Sequence, residues 1–421
     1  MAASTEQFPY EVADMTLAGL GDQKIAWAYA HMPLLQCIAE EFEAQKPFAG
    51  LRIAISIHLE AKTANLAHVL RKGGAEVWCT GCNPLSTQDA IAASLARAGF
   101  AVHARRGVNE AEYEDHLLKT LACAPHLILD DGGDLLGLLS TKAKDLAQNI
   151  IGGTEETTTG VHRLRQLSAK SGLPFPMVAV NDAACKHLFD NRYGTGQSVW
   201  DAIMRNTNLL IAGKTAVIAG YGWCGRGIAA RAQGLGARVI ITETDPVHAL
   251  EAALDGYSIM PMDQAAALGD IFVTATGCRD IIVERHFAVM KDGALLVNAG
   301  HFDLEISKID LAASSTETFE QRADVMGYRL IDGRILNLMA EGRLVNIAAG
   351  DGHPIEIMDM SFAVQALTLA HLAKEGWGLS PTVYGVPKAI DDRVATMKVE
   401  SLGMAMDRMT QAQKNYLGLE D

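Results

Sequence analysis

The stretch that decides the fold runs from Thr215-Ala-Val-Ile-Ala219 through Gly220-Tyr-Gly222-Trp-Cys-Gly225-Arg-Gly227 and Ile228-Ala-Ala-Arg-Ala-Gln-Gly-Leu235 to Arg238-Val-Ile-Ile-Thr242 and Glu243. An apolar β-branched run, a G-x-G-x-x-G turn, a helix-forming run and a second apolar run ending on an acid have the spacing of a dinucleotide-binding strand–helix–strand unit. Each part has a physical task. Gly220 permits the tight turn, Gly222 lets the backbone approach a pyrophosphate, and Gly225 allows close packing of helix on strand. The free N–H groups at the helix start face the phosphates. Glu243 is placed to accept from a ribose 2′-hydroxyl, and its charge opposes a 2′-phosphate, so the unit is expected to select NAD over NADP.

This motif sits in the middle of a 421-residue chain, long enough for about two or three domains. Upstream, strands are expected at Leu51–Ile57, Glu76–Cys79, Val102–Ala104, Leu127–Leu129 and Met177–Val180. Helices are expected within residues 10–45 and at Thr63–Lys72, Ala90–Ala98, Tyr113–Cys123 and Gln197–Arg205, with Gly152–Gly160 as a polar turn leading into another. This alternation predicts a parallel sheet covered on both faces. Ligands bind such sheets beyond the carboxyl ends of the strands, where His58, Asn83 and Asp131 fall. Downstream strands are expected at Ile271–Ala275 and Ala294–Val297, and a long helix at Asp359–Glu375.

The expected fold class is therefore α/β, with two doubly wound parallel-sheet domains and a small C-terminal helical segment for oligomerisation. Residues 1–189 plus 354–386 form the substrate domain, 190–353 the Rossmann domain, and 387–421 the C-terminal segment. Two crossings, near 190 and near 353, suit a hinge-closing enzyme. The amphipathic tail Asp391–Tyr416 reads equally as an oligomer contact or as a helix packed on its own subunit.

Composition narrows the partners. Fifty acidic against 36 basic residues give a net charge of -14, which disfavours nucleic acid and anionic membranes. No apolar run is long enough to span a bilayer, and Met1 to Gln7 lacks the basic and apolar regions of a secretion signal. Seven scattered cysteines suit reduced thiols in a cytoplasm. Cys79-Thr-Gly-Cys82 has C-x-x-C spacing with no second metal-type pair, so both thiols are expected to be idle and no metal is expected.

Four segments carry more polar residues than packing requires: His58–Thr63, Asp130–Asp134, Glu155–Thr159 and Lys186–Asn191. Each has a bland explanation alone. Asp-Asp-Gly-Gly is commonly a turn, and Lys186 with Asp190 at i, i+4 is commonly a solvated pair. Together they put a Lys, a His and several acids around one cleft beside a dinucleotide site.

Taken in order, these segments resemble S-adenosyl-L-homocysteine hydrolases over nearly the whole chain. The resemblance rests on Val12-Ala-Asp14, Met32-Pro33, His58-Leu-Glu-Ala-Lys-Thr63, Ser86-Thr-Gln-Asp89, Asp130-Asp-Gly-Gly-Asp134 and Glu155-Glu-Thr-Thr-Thr-Gly160. It continues through Lys186, Phe189-Asp-Asn191, the glycine motif, Asn298-Ala-Gly-His301-Phe-Asp303, Gly342-Arg-Leu-Val-Asn346, Gly352-His353-Pro354 and Ser361-Phe362. It implies reversible hydrolysis of S-adenosyl-L-homocysteine to adenosine and L-homocysteine, with tightly held NAD. Transient oxidation at the 3′-carbon acidifies the C4′–H, homocysteine leaves by elimination, water adds, and the sugar is reduced again. It also implies a cytoplasmic homotetramer.

The resemblance assigns roles. Glu156 holds the ribose hydroxyls, Lys186 acts on the 3′-OH, and Asp190 orients Lys186. His58 and Asp131 handle the C4′ proton, the thiolate and the water, in an order the sequence leaves open. Asn181, Asn191 and His301 line the site, and His353 and Phe302 resemble a gate over the homocysteine entrance. Thr157, Thr158 and Thr159 are assigned to NAD, with Thr276 and Asn346 near the nicotinamide. A Lys with an ordinary pKa of about 10.4 is a poor base, so burial or cationic neighbours are expected to lower Lys186 towards about 7–8.

Three departures matter. Well-known members place Thr and then Glu after the first-strand His, and that Glu accepts from the adenine 6-amino group; here Glu60 and Lys62 stand there, ahead of Thr63. An ammonium only donates, so Lys62 suits the 6-oxo group of hypoxanthine, whereas Glu60 suits adenine, the expected base. The spelling resembles archaeal and thermophilic members, some of which use the inosyl compound. The chain ends at Leu417-Gly-Leu-Glu-Asp421 without the Lys and Tyr tail that reaches a neighbour's NAD, which implies looser NAD. His248 and Thr195 stand where Asn and Cys are common near the cofactor. An NAD-dependent 2-hydroxy acid dehydrogenase and a non-catalytic NAD-binding regulator are the other readings of the fold.

Overall fold

The computed structural model describes residues 8–419, so the expectation drawn from Met1–Gln7 and the last two residues lie outside it. The first sheet contains β1 (Tyr10–Glu11), β2 (Arg52–Ser56), β3 (Glu76–Thr80), β4 (Ala101–His103), β5 (Leu127–Asp130), β6 (Gly152–Glu155) and β7 (Met177–Ala179). The second contains β8 (Thr215–Ala219), β9 (Arg238–Thr242), β10 (Ser258–Ile259), β11 (Ile271–Thr274), β12 (Leu295–Asn298), β13 (Ser315–Arg322), β14 (Val325–Leu330) and β15 (Ile335–Met339). The chain then returns to the first sheet, where β16 (Val383–Gly385) pairs with β7.

The first sheet runs β1-β4-β3-β2-β5-β6-β7-β16, every pairing parallel. Its order reverses between β2 and β5, so a crevice opens beyond their carboxyl ends. The second runs β10-β9-β8-β11-β12-β15-β14-β13 and reverses between β8 and β11. Its last two strands are antiparallel, a hairpin edge added to the expected parallel sheet.

The chain departs from the expected elements at several points. Tyr10–Glu11 is an edge strand ahead of the first helix. Gly152–Glu155, expected as a turn, is a buried central strand. Its sequence carries no apolar run because neighbours fill the space: a Cβ at Gly153 would lie 2.6 Å from the Met177 sulfur. Residues 187–194, expected as a lead-in to a helix, are a π-helical turn running straight into the helix Thr195–Thr207.

Burial follows the apolar periodicity. The helix Pro33–Gln45 buries Leu34, Leu35, Ile38, Ala39 and Phe42, on a core shared with Ile53, Ile55, Leu66 and Leu70. The long helix Ile355–Glu375 is buried through Met358–Leu369 and packs on that core. Asp359 fixes it in place, its carboxylate accepting from the N–H groups of Leu34 and Leu35 at 3.1 and 2.9 Å. A separate core of Val199, Trp200, Ile218, Ile228, Ile241 and Val273 supports the glycine motif.

Candidate functional site

The switch point of the first sheet presents His58, two residues past β2, and Asp131, one past β5. Asp131 is buried, its Oδ2 3.6 Å from His58 Nε2 and its Oδ1 3.8 Å from His301 Nδ1. Cys82, expected to be idle, lies between them: its Sγ is 3.1 Å from His58 Nδ1 and donates to Asp131 Oδ2 at 3.2 Å. Cys79 is buried in β3, away from this group, and all seven cysteines are free. The ligand atoms of His58, Cys82 and Asp131 lie within 4.8 Å of one another, a spacing a soft divalent ion can bridge. Burial pulls the His58 imidazole down to about 4, so it is neutral at pH 7 and able to accept a proton. Burial, with Asp131 next in weight, pushes the Cys82 thiol well above its usual range.

The π-helical turn builds the second cluster. Its i→i+5 winding brings residues four and five positions after Lys186 to the same side. Lys186 Nζ therefore lies 3.4 Å from Asp190 Oδ1 and donates to Asn191 Oδ1 at 2.7 Å. Glu156 Oε1 is 3.5 Å away on the other side. Gln365 donates to Glu156, and Ser361 donates to Asp190 Oδ2 at 2.7 Å. Asn181 Oδ1 accepts from Asn191 and Thr158.

The electrostatics of this cluster reverse the expectation for Lys186. Burial does favour the neutral amine, but the Asp190 and Glu156 carboxylates outweigh it and hold the ammonium pKa above its ordinary value. Burial alone would raise Asp190, yet Lys186 and His353 keep it below the usual carboxylate range. Glu156 is pushed up to about 7, chiefly by burial, so it is the member of the trio that titrates near neutrality.

Glu60, Lys62 and Thr63 are more heavily engaged than expected. Glu60 caps the helix Ala61–Lys72, accepting from the N–H groups of Lys62 and Thr63 at 3.0 and 3.3 Å. It also pairs with Lys62 Nζ at 2.9 Å, so few acceptor sites are left for a nucleobase. Lys62 is buried and donates to the Asp351 carbonyl at 2.7 Å, leaving one N–H free. The Thr63 hydroxyl donates to the His58 carbonyl at 2.7 Å and acts as a structural tie.

The second switch point carries the glycine turn. Gly220 has φ +93°, and its N–H donates to the Thr242 carbonyl at 2.9 Å, extending the β8–β9 pairing. A Cβ on Gly225 would collide with the Gly220 carbonyl, whereas a Cβ on Gly222 would meet nothing within 4 Å, so only Gly222 faces open space. Glu243, at the end of β9, accepts from Tyr221 N at 2.7 Å, and His248 lies 4.0 Å from it. Burial raises its pKa less than those backbone bonds lower it, so it stays ionised. Asn346 donates to Ser198 at 3.0 Å while its buried Oδ1 lacks a partner. This cradle and the orphaned amide oxygen fit a bound dinucleotide.

Threonines assigned to the cofactor are also engaged within the chain. The Thr157 hydroxyl donates to Glu155 and accepts from Gly160 N as a helix cap, and the Thr158 hydroxyl donates to Asn181 Oδ1 at 3.2 Å. Thr276 is held through its N–H and hydroxyl by Glu305, a buried acid the sequence reading overlooked. His353 is turned inward, with Nδ1 2.9 Å from Asp190 Oδ1 and Nε2 3.2 Å from Thr195 Oγ1. Phe302 packs edge-on against His301 at 4.7 Å. Asp131 Oδ1, Glu156 Oε1, His301 Nε2 and Gln365 Oε1 are buried without a hydrogen bond, which marks the space between them as the place of a polar ligand.

Ser361 and Gln365 were legible in principle, as polar residues at i, i+4 within the otherwise apolar run Met360–Leu367. Cys82 and Glu305 gave no such signal, because only the fold brings them in.

Residues 9–145 match a family model described as S-adenosyl-L-homocysteine hydrolase, and 191–352 match one described as its NAD binding domain. A Methanopyrus kandleri protein named S-inosyl-L-homocysteine hydrolase is 53% identical over 97% of this chain and 96% of its own length. A Thermococcus kodakarensis protein named adenosylhomocysteinase is 52% identical over 97% of each. A Thermotoga maritima protein of the same name is 53% identical over 94% of this chain and 98% of its own.

Proposed function

The chain belongs to the S-adenosyl-L-homocysteine hydrolase family, a family of thioether hydrolases with an NAD-binding domain, and from that premise we propose that it hydrolyses S-adenosyl-L-homocysteine reversibly to adenosine and L-homocysteine. One observation carries the reading to the level of residues. A contact path runs from Lys186 through Asp190 (3.4 Å), His353 (2.9 Å) and Thr195 (3.2 Å) to Cys224 in the glycine loop (3.6 Å). The polar cluster and the dinucleotide turn are thus one site.

NAD, when bound, supplies reversible oxidation at the sugar 3′-carbon, so the overall reaction has no net redox change. Glu156 and Asn181 bind the ribose hydroxyls, and Lys186 acts on the 3′-hydroxyl, oriented by Asp190 and Asn191. His58, Asp131 and His301 surround C4′ and C5′, where neutral His58 takes up a proton and Asp131, bridged by Cys82, fixes the imidazole. Burial of this group keeps stray water from the activated sugar. Gly220, Gly222, Gly225, Glu243, His248, Thr157, Thr158, Thr159, Thr276, Asn191 and Asn346 hold the cofactor. Domain boundaries at 189/190 and 353/354, a cytoplasmic location and a homotetramer complete the reading. Among the described residues no helix is long and apolar enough to cross a membrane.

Lys62 favours a second reading of the base. It is buried with one free N–H, while Glu60 is saturated, and a donor-only group suits a 6-oxo purine. The S-inosyl compound is therefore the alternative substrate. The test is thiol release and absorbance at the NADH band with both thioethers. Thiol without net NADH supports hydrolysis, net NADH without thiol removes it, and the ratio of kcat/KM values assigns the base.

A further inference from the structure

A thioether of homocysteine ends in a zwitterion, and neither reacting cluster offers a matched pair of opposite charges at the cleft mouth. One such pair stands just outside. Gly132, next to Asp131, has φ +103°, and a Cβ there would lie 2.6 Å from His301 Nε2, so backbone and imidazole meet at the inner wall. The Gly132 carbonyl accepts from Arg163 Nη1, which also donates to Asp134 Oδ1 at 2.8 Å. The guanidinium stands 5.8 Å over the Phe302 ring. Arg163 is 43% exposed and Asp134 20%. Tyr113 OH donates to Asp134 Oδ2 at 2.9 Å and fixes that carboxylate. Among the described residues the Nε and Nη2 of Arg163 bond to no acceptor, which leaves a two-pronged donor edge open to solvent.

We propose that Arg163 and Asp134 form the amino-acid subsite, Arg163 gripping the α-carboxylate through its open edge and Asp134 accepting from the α-ammonium. The assignment rests on the hydrolase reading above. It explains the layout: with the sulfur beside Asp131 and His301, the tail passes Phe302 and reaches Asp134, three residues beyond Asp131, and Arg163 on the helix Thr158–Ser171. Arg suits a carboxylate because its planar fork donates in parallel, which a lysine ammonium does not.

The test uses the full-length enzyme with NAD and the nucleobase the wild type prefers. In the synthetic direction, R163M raises the KM for L-homocysteine by about tenfold or more and leaves the KM for the nucleoside within about twofold, as loss of a charge-assisted contact to one substrate requires. R163K recovers only part of the loss. D134N raises the homocysteine KM in the same way. With a 5′-propylthio nucleoside, which lacks both charged groups, wild type and R163M are cleaved with equal kcat/KM. An unchanged homocysteine KM in R163M, or an equal loss on the propylthio substrate, overturns the subsite. Absence of thiol release by the wild type from either thioether would instead overturn the hydrolase reading.

Discussion

At the scale of single residues, the site is ruled by how few cations are buried among how many acids. Lys186 is the ammonium at the centre of Asp190 and Glu156, so removing its charge leaves two buried carboxylates facing one another. K186M is expected to lower kcat by about 10³-fold or more, within the range of lost proton-transfer groups, while NAD stays bound through the glycine turn. Activity in the variant near the wild-type level, with normal NAD content, would take Lys186 out of the chemistry. Glu156 gives the pH dependence. Its carboxyl is raised to about 7, and the charged form is the one that accepts from ribose hydroxyls. The kcat/KM profile is therefore expected to be level above about pH 7 and to fall as pH drops through it, since protonation removes the acceptor. In E156Q the profile should be low and flat across that limb. A limb that persists in E156Q belongs to another group.

At the scale of elements, the π-helical turn decides which side chains meet. It is wedged against the nucleotide helix: a Cβ on Gly227 would strike the Arg192 carbonyl, and one on Gly196 would lie 2.5 Å from the Gly227 carbonyl. G227A is thus expected to push the helix Trp223–Gly234 off the turn, destabilising the protein by about 1–3 kcal/mol. Because the turn carries Lys186's partners, kcat should fall with it; thermal denaturation and steady-state kinetics read the two effects. A fully stable and active G227A would show that the two elements separate without consequence.

The same region shows what sequence patterns carry. Strand–helix alternation, the glycine turn and the strand-end placing of His58 and Asp131 follow from local periodicity and were all legible. The π winding was not, because nothing in Lys186–Gly194 distinguishes i+4 from i+5 packing until the nucleotide helix presses on it. Gly152–Glu155 hid for a similar reason, Gly153 being demanded by Ile128 and Met177 and Gly152 by Leu372 and the Pro176 carbonyl. The raised pKa of Lys186 depends on three segments converging, which no one-dimensional pattern encodes.

At the scale of the whole molecule, the two sheets are latched across the cleft by Asp351. Its carboxylate lies 3.2 Å from Arg205 and 3.8 Å from Lys24, and its carbonyl accepts from buried Lys62. The exposed pairs contribute little in water, about 0–1 kcal/mol. The Lys62 bond is shielded, so it ties nucleobase recognition to domain closure. K62M should raise the KM for either purine thioether and enlarge the radius of gyration of the NAD-bound enzyme in solution scattering; an unchanged radius would separate closure from Lys62.

Beyond Ser401 the described residues lie on the surface, away from this chain's cores. Leu402, Met404, Met406, Met409, Tyr416 and Leu417 are each more than half exposed, and the helix Gln411–Leu417 buries nothing. A helix that short is not stable in water by itself, and a run of exposed apolar side chains marks a surface that another chain covers. A surface of matching character is the exposed apolar stripe of Val247, Leu250 and Leu254 on the helix Pro246–Leu254. Removing residues 404–421 is therefore expected to convert the proposed tetramer into smaller species by light scattering. Circular dichroism and thermal unfolding of each subunit should change little, because the arm makes no core contact within it. L250E/L254E should have the same effect if the stripe is the receptor. A truncated chain that still runs as a tetramer would place the assembly contacts elsewhere and leave the arm a solvent-exposed tail.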